Sequence, residues 1–208
     1  MPILAGAVDL AEVMQRLAAD RPIFHSEADF QFAFAWTLKQ MASDAAVRLE
    51  VPHGARERLD LLCSRGSTST VIEFKYFTAA WAGPDPRTLE PYRLKSHAAD
   101  DLLRLHYVHD LTRLERYVRD AATATTGIAL VLSNHSTLWS LPQQRELPRY
   151  HQFRIHEGRQ LSGKLIWGTG DYPLNDRTLT GSYEARWKPY SQLPGRRGEF
   201  RWLGLAVG

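Results

Sequence analysis

Residues 58–76 read RLDLLCSRGSTSTVIEFKY, and this stretch decides the fold. An apolar segment stands on each side of Gly66-Ser67, and glycine followed by serine suits the two central positions of a type II′ turn. The stretch therefore predicts a β-hairpin in which Arg65 faces Thr68 across the turn. Both segments also carry charged residues, which are rare in strands that are covered on both faces.

The turn fixes where those charges lie. Counting back from it places Asp60 opposite Glu73, and because side chains alternate with period two, Lys75 shares their face and stands opposite Arg58. Two carboxylates directly opposite each other have Cβ atoms about 5 Å apart and repel. A divalent cation would offset this repulsion, and the neighbouring lysine would complete a site for phosphate chemistry.

A purely structural interpretation treats Asp60 and Glu73 as charges on a solvated sheet edge. Their neighbours weigh against it, because the two strands are apolar on both faces, as in a sheet that helices cover on both sides. We therefore favour a functional role for the two carboxylates. The apolar neighbours are Leu59, Leu61, Leu62, Val71, Ile72 and Phe74.

Asp60 on one strand, followed after a turn by Glu73-Phe74-Lys75 on the next, resembles the PD-(D/E)XK nuclease superfamily, which has the restriction-endonuclease-like fold. In that family a helix with an acidic residue precedes a three-stranded meander, and a helix and a fourth strand follow. The resemblance covers about residues 24–135 and departs from the motif at Leu59, where the family has proline. It implies an α/β (α+β) fold: a mixed β-sheet flanked by helices, with additional β-strands in a C-terminal extension over about residues 150–208.

The resemblance further implies a metal-dependent nuclease that hydrolyses phosphodiester bonds in DNA. Asp60, Glu73 and Lys75 would be its catalytic residues. The implied metal ligands are Glu27, Asp60, Glu73 and the carbonyl of Phe74, and the implied cofactor is Mg²⁺, for which Mn²⁺ can substitute. Magnesium takes oxygen ligands and keeps several waters, so few carboxylates suffice. A lysine near two carboxylates stays protonated, so we expect Lys75 to stabilise developing charge rather than to act as a base.

Two other functions stay open. The fold can serve as a catalytically silent module that binds nucleic acid or protein, and nothing in the sequence separates an RNA nuclease from a DNA nuclease. Glu27 is also ambiguous, because an acidic residue in the first turn of a helix interacts favourably with the helix dipole. Metal binding near Asp60 would distinguish the enzyme, which requires it, from the binding module, which does not.

Helical periodicity predicts three helices. The first covers residues 8–19 and is capped by Asp9, and the second begins after the N-cap residue Ser26. The third runs over residues 97–122, and its mixed charges are typical of a solvated face. Helical spacing of the apolar residues predicts that each helix packs one stripe against the core.

Alternating and apolar segments predict the remaining strands. Residues 47–51 form the first strand of the meander, and residues 127–133 form a buried strand parallel to the third, because a helix connects the two. Residues 79–96, with three prolines, are interpreted as a long loop beside the site that either covers substrate or merely connects elements. Further strands, which extend the sheet or form a second layer, are expected at residues 153–155, 164–167, 183–187 and 200–205.

The C-terminal tail is basic. From Gly181 to Gly208 it carries five bases and two acids, and this excess equals the net charge of +3 for the whole chain. Bases interleaved with aromatic residues suit phosphate contact and base stacking, but aromatic residues also favour the core of terminal strands. The candidate nucleic-acid contacts are Arg186, Lys188, Arg196, Arg197 and Arg201, interleaved with Tyr183, Trp187, Tyr190 and Trp202.

Composition bounds the class of protein. A chain of 208 residues with 44% hydrophobic and 24% charged residues is expected to form one globular domain over residues 1–208. The single cysteine, Cys63, allows no disulfide within the chain and fits a reducing cytoplasm. Asp9 and Glu12 interrupt any N-terminal apolar run, and no segment reaches the length of a membrane helix. We expect a cytoplasmic protein that binds DNA, with RNA as the alternative, has no membrane partner, and can form a homodimer.

Overall fold

The structure is a computed structural model that describes residues 2–54, 57–97, 99–143 and 147–208. In these residues it has three α-helices: α1 (Leu10–Asp20), α2 (Glu27–Met41) and α3 (Asp100–Asp120). The β-strands of the first half are β1 (Ile3–Leu4), β2 (Val8–Asp9), β3 (Ala46–His53), β4 (Glu57–Arg65), β5 (Thr68–Phe77), β6 (Trp81–Pro84) and β7 (Pro91–Leu94). Those of the second half are β8 (Ala124–Ser133), β9 (Gln160–Leu165), β10 (Arg177–Glu184), β11 (Lys188–Gln192) and β12 (Glu199–Val207).

Six strands form the central sheet, in the order β11-β12-β8-β5-β4-β3. The pair β5 and β8 is parallel and the other neighbours are antiparallel, so the sheet is mixed. The parallel pairing of the strand after the long helix is therefore confirmed, and α3 is the crossover that allows it. Strands β9 and β10 form a separate two-stranded sheet.

Hydrophobic clusters cover both faces of the central sheet. On one face α1 and α2 pack against β5, where Phe74 meets Phe30 and Phe34 with ring centroids 5.2 Å apart in each pair. On the other face α3 packs through residues such as Leu111, next to Val71 and Val131. Burying a side chain of this size stabilises the fold by about 1.5–3 kcal/mol. The sheet is thus the middle layer, and the side chains of β5 alternate between two cores.

Side-chain caps start the first two helices, as the sequence predicts. The carboxylate of Asp9 accepts a hydrogen bond from the Ala11 N–H, at 2.6 Å. The Ser26 hydroxyl accepts one from the Asp29 N–H, at 3.2 Å. Each cap satisfies a backbone donor that the helix itself leaves unpaired. The cap at Ser26 brings Glu27 into the first turn of α2.

The central hairpin has the predicted register as far as the pairing extends. Gly66 has a φ of +57°, as the first central residue of a type II′ turn requires. Arg65 pairs with Thr68, and the ladder runs back to the pair Leu61 and Ile72. No pairing between Asp60 and Glu73 continues it. Asp60 was expected directly across from Glu73, and Lys75 directly across from Arg58. Neither pair forms, because the two strands stop pairing before these positions.

Three expectations about the periphery need correction. Residues 79–96 are not a plain loop, because β6 and β7 pair within them as a hairpin. Residues 153–155 are not a strand: a 3₁₀ turn, His151–Phe153, ends there. The C-terminal strands were expected either to extend the sheet or to form a second layer, and both occur. Strands β11 and β12 extend the central sheet, while β9 and β10 form a separate pair near α3. Among the described residues, no helix has the length and apolar character needed to cross a membrane.

Candidate functional site

The site begins where strands β4 and β5 stop pairing. Beyond Ile72, the N–H groups of Phe74 and Tyr76 lie on the edge of β5 that no longer pairs with β4. The Asp60 carboxylate accepts the first, with Oδ2 to N at 2.7 Å, and the Glu27 carboxylate accepts the second, with Oε2 to N at 2.8 Å. Two acidic side chains thus replace two missing ladder bonds, because buried backbone donors require an acceptor.

The neighbouring strand is distorted at the same level. In β3, Leu49 pairs with Leu61 and Val51 pairs with Leu59, but Glu50 between them pairs with nothing across the ladder. Glu50 has a φ of +53°, in the left-handed region that costs a non-glycine residue about 1–3 kcal/mol. Backbone pairing is therefore interrupted on both sides of Asp60.

Glu73 lies on the face of β5 that α3 covers, and it is only 2% exposed. Its carboxylate forms an ion pair with the guanidinium of Arg113. Its Oε1 accepts no hydrogen bond from any residue that the structure describes. A buried carboxylate oxygen without a donor is costly, so this atom can accept a further ligand.

Lys75 is held beside the carboxylates by two contacts. Its Nζ lies 2.7 Å from Oδ2 of Asp110 and donates to the carbonyl of Phe74 at 3.0 Å. The Phe74 carbonyl, an expected metal ligand, therefore accepts the lysine ammonium in this structure. Asp110 fixes the side chain of Lys75 on the α3 face of the sheet.

Asp110 and Arg113 are the site residues that the sequence did not identify. The mixed charges of α3 predicted a solvated face, and that holds for Arg116, whose ion pair with Glu57 is exposed. It is wrong for Asp110, which is 8% exposed. The available signal was the spacing, since residues three apart share a helix face, but it does not tell which face meets the sheet.

The pKa values reflect crowding of like charges. Burial, and then Asp60, raise the pKa of Glu73 from its ordinary value near 4.5 to about 8. Burial also raises the pKa of Asp60 and of Glu27. Burial alone would lower the pKa of Lys75, but Asp110, Glu27 and Asp60 outweigh it and raise the pKa. Lys75 is thus an ammonium ion at neutral pH.

The donor set fits a divalent cation by its charge. Among the described residues, the cluster joins four carboxylates, those of Glu27, Asp60, Glu73 and Asp110, with the two cations Lys75 and Arg113. Fully ionised, the cluster carries two uncompensated negative charges, which a divalent oxygen-binding ion would neutralise. As placed, the described His, Cys, Asp and Glu side chains form no group of three or more that could hold a metal ion.

The C-terminal tail divides into core aromatics and surface cations. Its four aromatic side chains are buried and so are not free to stack on bases: Tyr183, Trp187, Tyr190 and Trp202. Arg186 pairs with Glu184, and Arg201 pairs with Glu199. Lys188 lies over the Trp202 ring, 4.8 Å from its centroid. Arg196 and Arg197 have no ion pair with an acidic side chain in the described part of the chain.

Arg197 lies at the same end of the sheet as Lys75. Its carbonyl accepts from the Asn134 amide at 2.9 Å, and the Asn134 side chain also accepts from the Ala79 N–H at 2.7 Å. Ala79 lies two residues beyond the end of β5 at Phe77. The segment of Arg196 and Arg197 is therefore tied to the end of the strand that carries Glu73 and Lys75.

Comparison of the chain with protein-family models, with curated proteins and with solved structures gave no match. The resemblance to the PD-(D/E)XK nucleases therefore rests on the sequence motif alone, Asp60 followed by Glu73-Phe74-Lys75.

Proposed function

We propose that the protein is a metal-dependent nuclease that hydrolyses phosphodiester bonds in DNA, with a restriction-endonuclease-like fold. The observation that carries this proposal is the end of the β4–β5 ladder. There Asp60, Glu73 and Lys75 come together in a cluster with more carboxylates than cations. Backbone distortion at Glu50 adds support, because strained residues concentrate at functional sites.

Each side chain has a role that follows from its contacts. Asp60 and Glu73 would hold Mg²⁺ or Mn²⁺, and Glu27 would complete the acidic set. When bound, such an ion lowers the pKa of a coordinated water and neutralises charge on a phosphate. Lys75, kept protonated by Asp110, would donate to a phosphate oxygen as negative charge develops on it. It does not serve as the base, because its proton is stabilised by three nearby carboxylates.

The proposed substrate follows from the positive charge of two arginines and from their position near the site. Arg196 and Arg197 stand at the end of the sheet that holds the site, and cations at such a place neutralise backbone phosphates. The aromatic residues of the tail do not contribute, since they belong to the core. DNA is proposed from the resemblance, and RNA is the alternative that the same contacts would accept.

A catalytically silent binding module is the second candidate. One observation favours it: Glu73 already has a cation, Arg113, and Lys75 already has an anion, Asp110. A site neutralised in this way can be a purely structural network. On this account the protein binds nucleic acid or protein without any need for metal.

The deciding experiment is an activity panel. Plasmid, linear, single-stranded and branched DNA, and RNA, are incubated with the protein in Mg²⁺, in Mn²⁺ and in a chelator. We expect cleavage of at least one DNA substrate in metal, none in chelator, and a loss of at least about a hundredfold with Lys75→Met. Binding without cleavage of any substrate would select the silent module, and preferential cleavage of RNA would correct the substrate.

A further inference from the structure

Arg113 forms an ion pair with Glu73, the most buried carboxylate of the site. We propose that Arg113 and the divalent ion compete for Glu73, so that metal loading requires the guanidinium to leave Glu73. This inference rests on the proposed function and deepens it, because it names the residue that sets the metal affinity. Arg113 then acts as a positioning residue that holds the metal-free site together.

The contacts of Arg113 support an exchange rather than a permanent bond. The guanidinium contacts Glu73 and lies 3.7 Å from Oδ1 of Asp110, one helical turn before it on α3. Its side chain is 22% exposed, whereas that of Glu73 is almost fully enclosed. The arginine can therefore move outward toward water and Asp110, while the carboxylate has no such freedom.

Charge requires the exchange. A cation bound to Asp60 and Glu73 would stand beside the guanidinium, and two like charges in a partly buried site repel strongly. Among the described residues, Asp110 is the acidic side chain nearest to Arg113 after Glu73. We infer that Asp110 receives the released guanidinium and holds it beside Lys75. Two cations would then face an incoming phosphate, and the carboxylates would face the metal.

The competition predicts an unusual sign for a substitution in the site. Arg113→Gln removes the competing cation, so Mn²⁺ and Mg²⁺ should bind more tightly to the variant than to the wild type. We expect about a tenfold or greater gain in affinity by titration calorimetry, which is within the usual range of coupling between two ligands of one site. Without metal the variant should melt at a lower temperature than the wild type, and saturating Mn²⁺ should close most of that difference.

The matched control is Arg116→Gln. Arg116 lies three residues further along α3, carries the same charge, and pairs with Glu57 at the surface. Its removal changes the net charge equally but does not touch Glu73. Metal affinity should therefore change far less in this variant, which separates local competition from a general electrostatic effect.

A second measurement uses the wild type and does not depend on the folding of Arg113→Gln. The NMR signal of the Arg113 Nε–H group, assigned with Arg113→Lys, should shift as Mg²⁺ is added. An unmoved signal at saturating Mg²⁺ would overturn the proposal, as would equal or weaker metal binding by Arg113→Gln. If either contradicting result is found but Glu73→Gln still abolishes metal binding, the proposed nuclease site stands and only the competition with Arg113 is wrong. If neither the wild type nor any variant binds metal, both proposals are wrong.

Discussion

Asp60 serves two purposes with one carboxylate. Its carboxylate accepts a hydrogen bond from the backbone N–H of Phe74, which is a structural role, and it interacts with Glu73 in a cluster that has more carboxylates than cations. These purposes can be separated by substitution, because an asparagine keeps a carbonyl acceptor while losing the charge, and an alanine loses both.

We predict that above pH 8, where Glu73 has lost its proton, Asp60→Asn matches or exceeds the stability of the metal-free wild type by up to about 1 kcal/mol, since repulsion with Glu73 disappears. Asp60→Ala should instead lose about 1–3 kcal/mol, because the Phe74 N–H is left without its acceptor. Neither variant should gain stability from Mg²⁺, in contrast to the wild type. Thermal denaturation with and without Mg²⁺ checks this, and an asparagine variant as unstable as the alanine variant would make Asp60 purely structural.

Glu73 gives the protein a specific pH dependence. Its pKa is raised from near 4.5 to about 8 in the folded state, so between these values the native protein holds a proton that the unfolded chain has lost. Stability therefore falls as pH rises through this window. Glu73→Gln should remove this part of the fall. Chemical denaturation of the two proteins between pH 4.5 and pH 8 measures it, and identical slopes would show that Glu73 does not titrate there.

One glutamate on α3 attaches the separate sheet of β9 and β10. Glu115 is buried, and its carboxylate accepts from the N–H groups of Thr180 and Gly181 and from the hydroxyl of Tyr183. Hydrogen bonds to a charged acceptor are stronger than neutral ones. This residue therefore fixes β10 against the helix that also supplies Asp110 and Arg113.

We predict that Glu115→Ala lowers the free energy of unfolding by about 3 kcal/mol, because several donors lose their acceptor at once. Arg119→Ala, one turn further along the helix and in an exposed ion pair with Asp120, should change it by less than about 0.5 kcal/mol. Urea denaturation compares the two. Equal effects would mean that Glu115 does not hold the second sheet.

The elements that sequence predicted best are those governed by local chemistry. The turn at Gly66 and the cap at Ser26 follow from neighbours in the chain, and the parallel pairing of β8 follows from the helix in its connection to β5. The end of the ladder after Ile72 could not be read in this way. It depends on Asp60 in β4 and Glu27 in α2, whose side chains accept hydrogen bonds from the backbone of β5. The register of a turn fixes which residues pair but does not tell where the pairing stops.

The same distinction explains the omissions in the site. Asp110 and Arg113 look like ordinary surface charges of α3, and only the docking of that helix on the sheet shows that they pair with Lys75 and Glu73. In the tail, composition could not separate core from surface, and burial of Trp187 and Trp202 decides for the core. Long-range packing, rather than local pattern, carries this information.

The cations of the tail form two groups with different expected roles in the whole molecule. Arg196 and Arg197 lack acidic partners among the described residues, whereas Arg186 and Arg201 are in ion pairs. Replacing Arg196 and Arg197 by glutamine should reduce the salt dependence of duplex DNA binding by about 1.8 in log–log slope, the value for two lost phosphate contacts. Replacing Arg186 and Arg201 should change it less. Affinity measured across a salt series tests this, and equal slopes in all variants would assign the tail to solvent.

The central claim is that the carboxylates at the end of the β4–β5 ladder make a metal-dependent nuclease. The most direct test is the cleavage rate of a labelled DNA in saturating Mg²⁺, with wild type, Asp60→Asn, Glu73→Gln and the surface control Glu57→Gln compared in parallel. The account predicts cleavage by the wild type and the control, and a loss of at least about a hundredfold in both site variants, which remain folded. Cleavage at an undiminished rate by either site variant, or no cleavage by the wild type, would contradict it.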